Sequence, residues 1–310
     1  MRSGLPVIAE DPLSFDNAIS HAALFLSDRD IREYFKPDAV LVIGRTTLSR
    51  SINAFIDSAP QSIIMDPRMA NVDTLRHGDR VIYELAEIVV DKKDSTWNEA
   101  WNSAAKASEG ALIEDWSERT FLRELTRLLP DNSAIFIGSS RPARDIEACA
   151  IPRAGLHVFA NRGLAGIDGN ISTAFGIATK FAQTFSIVGD LTFLHDLSAL
   201  ASTNNDQHTI FIIDNNGGGI FSTLPQAGVA GFEKIFGTPH NQDLGKILTG
   251  FNVAYEVIKN ESDLERAVVH NVKGLKFYLV EVPTRDEMAK LLKEIYANAS
   301  KAVRIGLNLA

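Results

Sequence analysis

The residues best suited to chemistry follow two apolar runs in the second half of the chain. Asp190 comes directly after TFSIVG (184–189), and Asn215 and Gly217 follow TIFIID (209–214). If both runs form neighbouring parallel strands, their carboxyl ends lie at the same edge of the sheet. The Asp190 carboxylate, the Asn215 amide oxygen and the Gly217 carbonyl would then offer hard oxygen ligands to one cation, Mg²⁺ or Ca²⁺.

Each of these features also has an ordinary structural explanation. Asp190 could cap the helix that follows it, and the glycine run 217–219 could be a flexible turn. Together they favour a binding site, because each one ends a predicted strand and precedes a glycine or a helix start.

A second glycine-rich loop lies earlier in the chain. NRGLAGIDGNIST (161–173) runs into the start of a predicted helix, where backbone N–H groups and the helix dipole favour a diphosphate. A cation site beside a diphosphate site suggests one ligand that occupies both. Glycine lets the backbone approach phosphate and metal without a Cβ between them.

Composition narrows the class of protein. The 310 residues are 45% hydrophobic and carry a formal net charge of −8, which fits a globular protein and excludes a general nucleic-acid binder with its concentrated basic face. Anionic ligands must therefore be met by local arginines or helix N-termini. The single cysteine, Cys149, excludes an internal disulfide and favours a reducing compartment.

No apolar stretch approaches the roughly 20 residues of a membrane helix, and the first residues lack the apolar region of a signal peptide. We therefore expect a cytoplasmic protein with no membrane or nucleic-acid partner.

Two α/β blocks must position these residues. The first has apolar runs at 39–44, 62–66 and 80–85 that alternate with helical patterns. The second has five runs that predict a buried, mostly parallel sheet, at 134–138, 156–160, 184–189, 209–214 and 277–283. The fold class is α/β with two doubly wound, mostly parallel sheets, and we predict domains at 1–114 and 115–310.

Two helices of the second block have predicted limits. One runs from about Thr192 to Thr203 and connects the two strands that carry the candidate cation ligands. Another begins with a capping box from Ser262 to Glu265 and ends at Gly274.

Five ordered segments resemble signatures of the 2-succinyl-5-enolpyruvyl-6-hydroxy-3-cyclohexene-1-carboxylate synthases (MenD), which are thiamine-diphosphate enzymes of menaquinone biosynthesis. The segments are SSRPARD (139–145), NRGLAGIDGNISTAFG (161–176), GDLTFLHDL (189–197), NNGGGIFSTLPQ (215–226) and FEKIFGTPH (232–240). Residues 1–115 resemble the central, Rossmann-like domain of that family. The remainder resembles its diphosphate-binding domain.

The resemblance implies thiamine diphosphate and Mg²⁺ as cofactors, with Asp190, Asn215 and the Gly217 carbonyl as metal ligands. It implies further cofactor contacts at Ser140, Ile167, Gly189 and Leu191. It implies substrate contacts at Arg144, Arg162, Ile220, Phe221 and, in the central domain, Arg50. The arginines would hold the carboxylates of 2-oxoglutarate and isochorismate.

The implied reaction is that of a transferase. 2-Oxoglutarate loses CO2, and the remaining carbons are joined to isochorismate to give the product for which the family is named. Cofactors of this family lie between chains, so a homo-oligomer, a dimer or a tetramer, is expected.

Several departures from the family pattern accompany the resemblance. Members carry an N-terminal pyrimidine-binding domain with an activating glutamate; residues 1–14 resemble the start of the central domain, so we expect that domain on a separate chain or removed by truncation. Ser139 and Asp214 each stand where asparagine is usual, and Leu164-Ala165 where Ala-Ser is usual. His240 lies inside the last signature, but spacing gives it no role.

Two alternative functions stay open. The chain could be another thiamine-diphosphate decarboxylase or an acetohydroxyacid-type synthase. It could instead be a non-catalytic remnant that binds a nucleotide or a partner. A nicotinamide dehydrogenase ranks lower, because no GxGxxG follows any predicted strand.

Overall fold

The computed structural model describes residues 4–67, 78–84, 95–112, 115–163, 165–202, 207–269 and 274–309. The chain divides into two compact units. The first unit comprises Met1–Glu10, Asn17–Leu112 and Glu294–Ala310, and the second comprises Asp11–Asp16 and Ile113–Lys293. The predicted domain limits, 1–114 and 115–310, stay a prediction.

The described residues form strands and helices in alternation. The strands are β1 Val40–Ile43, β2 Ser62–Met65, β3 Arg80–Ile82, β4 Ala134–Ile137, β5 His157–Ala160, β6 Thr184–Gly189, β7 His208–Asp214, β8 Tyr255–Ile258 and β9 Leu275–Glu281. The helices are α1 Ala22–Phe25, α2 Arg29–Tyr34, α3 Arg50–Ser58, α4 Ser95–Glu109, α5 Glu118–Leu128, α6 Arg141–Cys149, α7 Asn170–Ala178, α8 Asp190–His195, α9 Leu244–Gly250, α10 Glu261–Val269 and α11 Arg285–Gly306. None of these described helices is both long and apolar enough to cross a bilayer.

The first unit contains a parallel sheet of order β1-β2-β3. The same unit contains an aromatic cluster on its helices. The almost fully buried Trp101 of α4 lies 4.2 Å from Phe35 and 5.6 Å from Phe55, measured between ring centroids. Such clusters bury large apolar areas and stabilise the packing of helices.

The second unit contains a six-stranded parallel sheet of order β5-β4-β6-β7-β9-β8. Alternate residues of its strands enter two different cores: Phe211 packs with α5, whereas Ile210 packs with α7. Helices therefore cover both faces, as expected for a parallel sheet. The predicted class, α/β with two mostly parallel sheets, is confirmed.

The helix predicted from Thr192 to Thr203 has different limits. The α-helix is α8, Asp190–His195, and a 3-10 helix follows at Leu197–Ser202; Thr203 lies outside the described residues. The break occurs at Asp196, whose backbone leaves the helical region. Its carboxylate accepts hydrogen bonds from the backbone N–H and the hydroxyl of Ser172, at 2.7 and 3.1 Å.

The capping box predicted at Ser262 is also wrong, because the helix begins one residue earlier, at Glu261. Asn260 is the capping residue: its Oδ1 accepts the backbone N–H of Asp263 at 3.0 Å. The Asp263 carboxylate in turn accepts the N–H of Lys259, the residue before the cap, at 3.0 Å, so the reciprocal bond reaches one residue further back than in a capping box. The predicted end at Gly274 follows residues 270–273, which lie outside the description.

Candidate functional site

The candidate site lies at the carboxyl ends of β6 and β7. These strands are hydrogen-bonded neighbours, and their last registered pair is Gly189 with Ile213. The next residue on each strand is an aspartate, Asp190 or Asp214, and Asn215 follows directly. Ligands bind at this edge in open α/β sheets.

Asp190 is held by backbone donors from two loops. Its Oδ1 accepts the N–H of Leu191 at 2.6 Å, and its Oδ2 accepts the N–H of Gly217 at 2.8 Å. The residue is only 2% exposed, and burial is the main cause that raises the pKa of its carboxyl. The two N–H donors and His240 oppose that rise, whereas Asp214 adds to it.

Two glycines allow the β7 loop to pack closely against a neighbouring turn. Gly217 has a φ of +132°, and a Cβ added there would lie 2.4 Å from the carbonyl oxygen of Gly237. A Cβ at Gly218 would lie 2.5 Å from the Phe236 carbonyl oxygen. The Gly218 N–H donates to the Gly237 carbonyl at 2.8 Å. The close approach of the two backbones therefore requires glycine at positions 217 and 218.

The side chain of Asn215 places a buried amide oxygen at the end of β7. Its Nδ2 donates to Oε1 of Glu118 at 2.5 Å. Its Oδ1 is buried and has no hydrogen-bond partner among the residues that the structure describes. A buried amide oxygen that accepts no hydrogen bond destabilises the folded protein, so such an atom indicates a binding site for a group from outside the chain. A cation is one such group.

Glu118 belongs to a buried group of charges that the sequence analysis missed. Burial is the main cause that raises the pKa of its carboxyl, and Asp145 adds to the rise, whereas Arg141, the hydrogen bond from Asn215, and Arg119 lower it. Arg141 Nε donates to Asp145 Oδ2 at 3.2 Å, and Arg119 Nε lies 3.4 Å from Asp145 Oδ1. An acidic residue in the first turn of a helix is common, so the position of Glu118 in the sequence does not indicate this role.

Two further side chains, those of His240 and Asp214, lie beside Asp190. One ligand atom from each of Asp190, Asp214 and His240 lies within 4.8 Å of the others. His240 Nδ1 accepts the N–H of Gln242 at 2.9 Å, so the proton of the neutral ring is on Nε2, which lies 3.3 Å from Asp190 Oδ2. Asp214 was noted in the sequence only as a departure from the usual asparagine.

The second glycine-rich loop is held to the end of β4 by Asn170, a fully buried residue. Its Nδ2 donates to the carbonyls of Gly166 and Asp168, at 3.1 and 3.0 Å, and its Oδ1 accepts the N–H of Ser139 at 3.4 Å. Ser140 follows with a φ of +81°, a conformation that serine rarely adopts. The two loops thus form one surface at the start of α6 and α7.

Two of the predicted substrate arginines lie near this surface. Arg144 Nη1 donates to the Ser140 carbonyl at 2.8 Å. Burial is the main cause that lowers the pKa of Arg144; Arg141 and Arg162 contribute in the same direction, whereas Asp145 and Glu147 oppose it. Closely placed arginines are suited to anionic ligands.

The other predicted contacts are placed as follows. Ile167 is half-buried in the loop before α7, and Gly189 is the N-cap of α8. Ile220 and Phe221 are half-buried in the 3-10 turn Gly219–Thr223. Arg50 is exposed at the start of α3 in the first unit. The roles of these residues stay predictions.

The donor set fits a divalent cation bound with a diphosphate. Asp190 and Asn215 offer oxygen atoms from the two strand ends. The Gly217 carbonyl accepts the N–H of Gly219 at 2.9 Å and keeps its second lone pair. Mg²⁺ accepts such oxygens and completes its octahedron with phosphate oxygens and water.

Known proteins with similar sequences bear on this site. Residues 147–282 match the family described as thiamine pyrophosphate enzyme, C-terminal TPP binding domain. The chain is 32% identical to the 2-succinyl-5-enolpyruvyl-6-hydroxy-3-cyclohexene-1-carboxylate synthase of Thermobifida fusca over 98% of its own length. Synthases of the same name from Saccharopolyspora erythraea and Listeria innocua are each 31% identical, over 99% and 97% of the chain. The chain spans 57% of the length of each of these three relatives.

Proposed function

Because this chain is a homologue of the MenD synthases and contains the C-terminal domain of thiamine pyrophosphate enzymes, we propose that it binds thiamine diphosphate through Mg²⁺ and takes part in the MenD reaction. The observation that carries the proposal is the buried Oδ1 of Asn215, which has no hydrogen-bond partner within the described part of the chain and follows the strand end beside Asp190. In the proposed reaction, 2-oxoglutarate loses CO2 and its remaining carbons are joined to isochorismate.

The chain's own residues would hold the cofactor at its diphosphate end. Asp190, Asn215 and the Gly217 carbonyl would bind the Mg²⁺, and the loop before α7 would meet the diphosphate. When bound, thiamine diphosphate supplies the electron sink for decarboxylation. The buried position of Asp190 lowers the local dielectric constant, which would strengthen the attraction between its carboxylate and the cation.

Recognition of acidic substrates would fall to the arginines. Arg144 is oriented by its hydrogen bond to the Ser140 carbonyl and is partly withdrawn from water. Together with Arg162 it would pair with substrate carboxylates, which a protein with a net charge of −8 does not attract in general. Ile220 and Phe221 would line the substrate side of the pocket, and Arg50 would contribute a further cation.

The proposal extends beyond this chain. The relatives are longer, so the complete reaction would use a pyrimidine-binding domain and its activating glutamate. We also propose a homo-oligomer, a dimer or a tetramer, and a cytoplasmic location.

Calorimetry tests the cofactor proposal. The chain should bind thiamine diphosphate with a heat that requires Mg²⁺, and Asp190→Asn should weaken this binding at least roughly 100-fold, since it removes the charged ligand. Asp131→Asn, at an exposed aspartate of the same unit, should leave it unchanged. If no Mg²⁺-dependent heat is measured even with a pyrimidine-binding domain present, the result would favour the alternative that the chain is a non-catalytic remnant.

Turnover tests the reaction. A pyrimidine-binding domain taken from a MenD synthase and added to the chain should permit CO2 release from 2-oxoglutarate and product formation with isochorismate. Turnover of pyruvate alone would instead favour another decarboxylase or an acetohydroxyacid-type synthase.

A further inference from the structure

A buried contact between Glu118 and Asn215 joins the first turn of α5 to the end of β7. Glu118 Oε1 accepts from Asn215 Nδ2 at 2.5 Å, although the two residues are 97 positions apart. Glu118 is 3% exposed. In its ionised form the Glu118 carboxylate only accepts hydrogen bonds, so at this distance it fixes which end of the amide faces it, because the opposite orientation would place two oxygens in contact.

The consequence appears at the other end of the amide. With Nδ2 directed to Glu118, Oδ1 is directed away from it, and this is the buried atom without a hydrogen-bond partner among the described residues. A flipped amide would offer N–H groups in its place. N–H groups cannot bind a cation, so the orientation decides whether Asn215 is a ligand.

Glu118 is itself fixed by its surroundings. The adjacent residue of α5, Arg119, lies 3.4 Å from Asp145, and Arg141 Nε hydrogen-bonds the same carboxylate at 3.2 Å. Arg119 and Asp145 are almost completely buried. Beside these paired side chains the Glu118 carboxylate has few other positions available. A residue that orients a metal ligand must itself be held in place.

We infer that Glu118 is a positioning residue, which orients the Asn215 amide so that its oxygen faces the cation. The inference rests on the proposed function, because it assigns Glu118 to the same cation site. Glu118 does not contact the cation in this scheme. Its contribution is to hold a ligand in one of two orientations.

Side-chain NMR tests the orientation without any cofactor. In the full chain labelled with ¹⁵N-asparagine, the Asn215 NH₂ signals are identified by their loss in Asn215→Asp. They should shift and exchange faster with solvent in Glu118→Gln, and remain in place in Glu124→Gln. Glu124 is a matched control on the same helix, with arginine partners of its own. Unchanged Asn215 signals in Glu118→Gln would overturn the inference.

Metal binding tests the consequence. Mn²⁺ is titrated into the full chain with thiamine diphosphate, and free Mn²⁺ is measured by electron paramagnetic resonance. Glu118→Gln should weaken Mn²⁺ binding by roughly 10–100-fold, because an amide at 118 can face Asn215 with either its oxygen or its nitrogen. Glu124→Gln should bind as the wild type does.

A double variant separates positioning from a general loss of structure. In Glu118→Gln with Asn215→Asp, the glutamine can donate to one carboxylate oxygen while the other oxygen faces the cation. Binding should recover relative to Glu118→Gln alone. Failure to recover, with folding intact by circular dichroism, would contradict the inference. If the wild type binds no Mn²⁺, the proposed function fails, and the NMR result alone decides the role of Glu118.

Discussion

Gly217 combines two requirements that other residues meet poorly. Its φ is +132°, and a Cβ there would overlap the Gly237 carbonyl oxygen at 2.4 Å. Gly217→Ala must therefore move the loop that donates to Asp190. We expect a loss of about 1–3 kcal/mol in the free energy of unfolding, measured by urea denaturation, together with weaker Mg²⁺-dependent cofactor binding.

The matched control for Gly217 is Gly176. It lies within α7, and no heavy atom lies within 4 Å of the Cβ that alanine would add. Gly176→Ala should be neutral or stabilise the chain by up to about 1 kcal/mol, since alanine has the higher helix propensity. Equal losses in both variants would show that Gly217 is not specially constrained.

Asp145 is the acidic centre of the buried charges beside the site. It is 1% exposed and pairs with Arg119 and Arg141. Asp145→Asn keeps the shape of the side chain but leaves the guanidinium groups of the buried Arg119 and the half-buried Arg141 with less compensation. We expect a loss of about 3–5 kcal/mol in the free energy of unfolding, measured by urea denaturation.

An exposed ion pair provides the comparison for Asp145. Asp131 pairs with Arg153, but its side chain is 72% exposed. Asp131→Asn should cost at most about 1 kcal/mol, because water already screens the pair. A cost as small as this in Asp145→Asn would mean that Arg119 and Arg141 find other compensation.

Whether a site residue could be predicted depends on how far along the chain its partners lie. Asp190, Asn215 and Gly217 could be singled out because each one follows an apolar run, and adjacency to a strand end is visible in sequence. Glu118 meets Asn215 only through the packing of α5 on the sheet. That contact spans 97 residues, and no local pattern encodes it.

His208, the first residue of β7, couples this element to pH. It is fully buried; its Nε2 lies 2.7 Å from the Ser186 hydroxyl on β6, and burial lowers its pKa to about 3. Below pH 6.5 the imidazole of His208 binds a proton in the unfolded chain but stays neutral in the folded chain. Stability should therefore fall by about 1.4 kcal/mol per pH unit as pH drops from 6.5 towards 3, and this contribution is absent above 6.5.

Urea denaturation between pH 4 and 8 measures the effect of His208. Other groups also titrate in this range, so the relevant quantity is the difference in slope between the wild type and His208→Gln. The variant should show the shallower loss of stability. His195→Gln, at an exposed histidine of α8, should keep the wild-type slope; equal slopes in all three chains would refute the argument.

The strands of the sheets were more predictable than the limits of the helices. Buried strands appear in the sequence as apolar runs, and β6 has the limits that its run predicted. β8 was missed because it is an edge strand in which Tyr255, Glu256 and Val257 are exposed. α8 ends early because the Asp196 side chain bonds to α7, a tertiary contact that helix periodicity does not contain.

At the scale of the whole molecule, the second unit contains all the predicted cation ligands and the whole match to the thiamine pyrophosphate enzyme family, residues 147–282. The similarity to MenD synthases continues across the first unit, since it covers 98% of the chain. The proposed cofactor binding can therefore be examined on this chain, whereas the proposed turnover would involve the additional length that the relatives have.

Cys149 allows the opening of the second unit to be measured with one reagent. It is the chain's single cysteine, 2% exposed, at the end of α6. Burial is the main cause that raises the pKa of its thiol to about 12. Only the thiolate reacts, so a disulfide reagent at pH 8 should label the native chain very slowly, at a rate set by unfolding of the surrounding core.

Labelling of Cys149 then reports ligand binding through mass action. A ligand that binds only the folded chain, present at 100 times its Kd, stabilises that state by about 2.7 kcal/mol. Thiamine diphosphate with Mg²⁺ should therefore slow labelling about 100-fold, whereas neither component alone should do so. Asp190→Asn should abolish the protection. Equal protection in that variant would place the ligand elsewhere, and fast labelling of the unliganded wild type would mean that the core around α6 opens without unfolding.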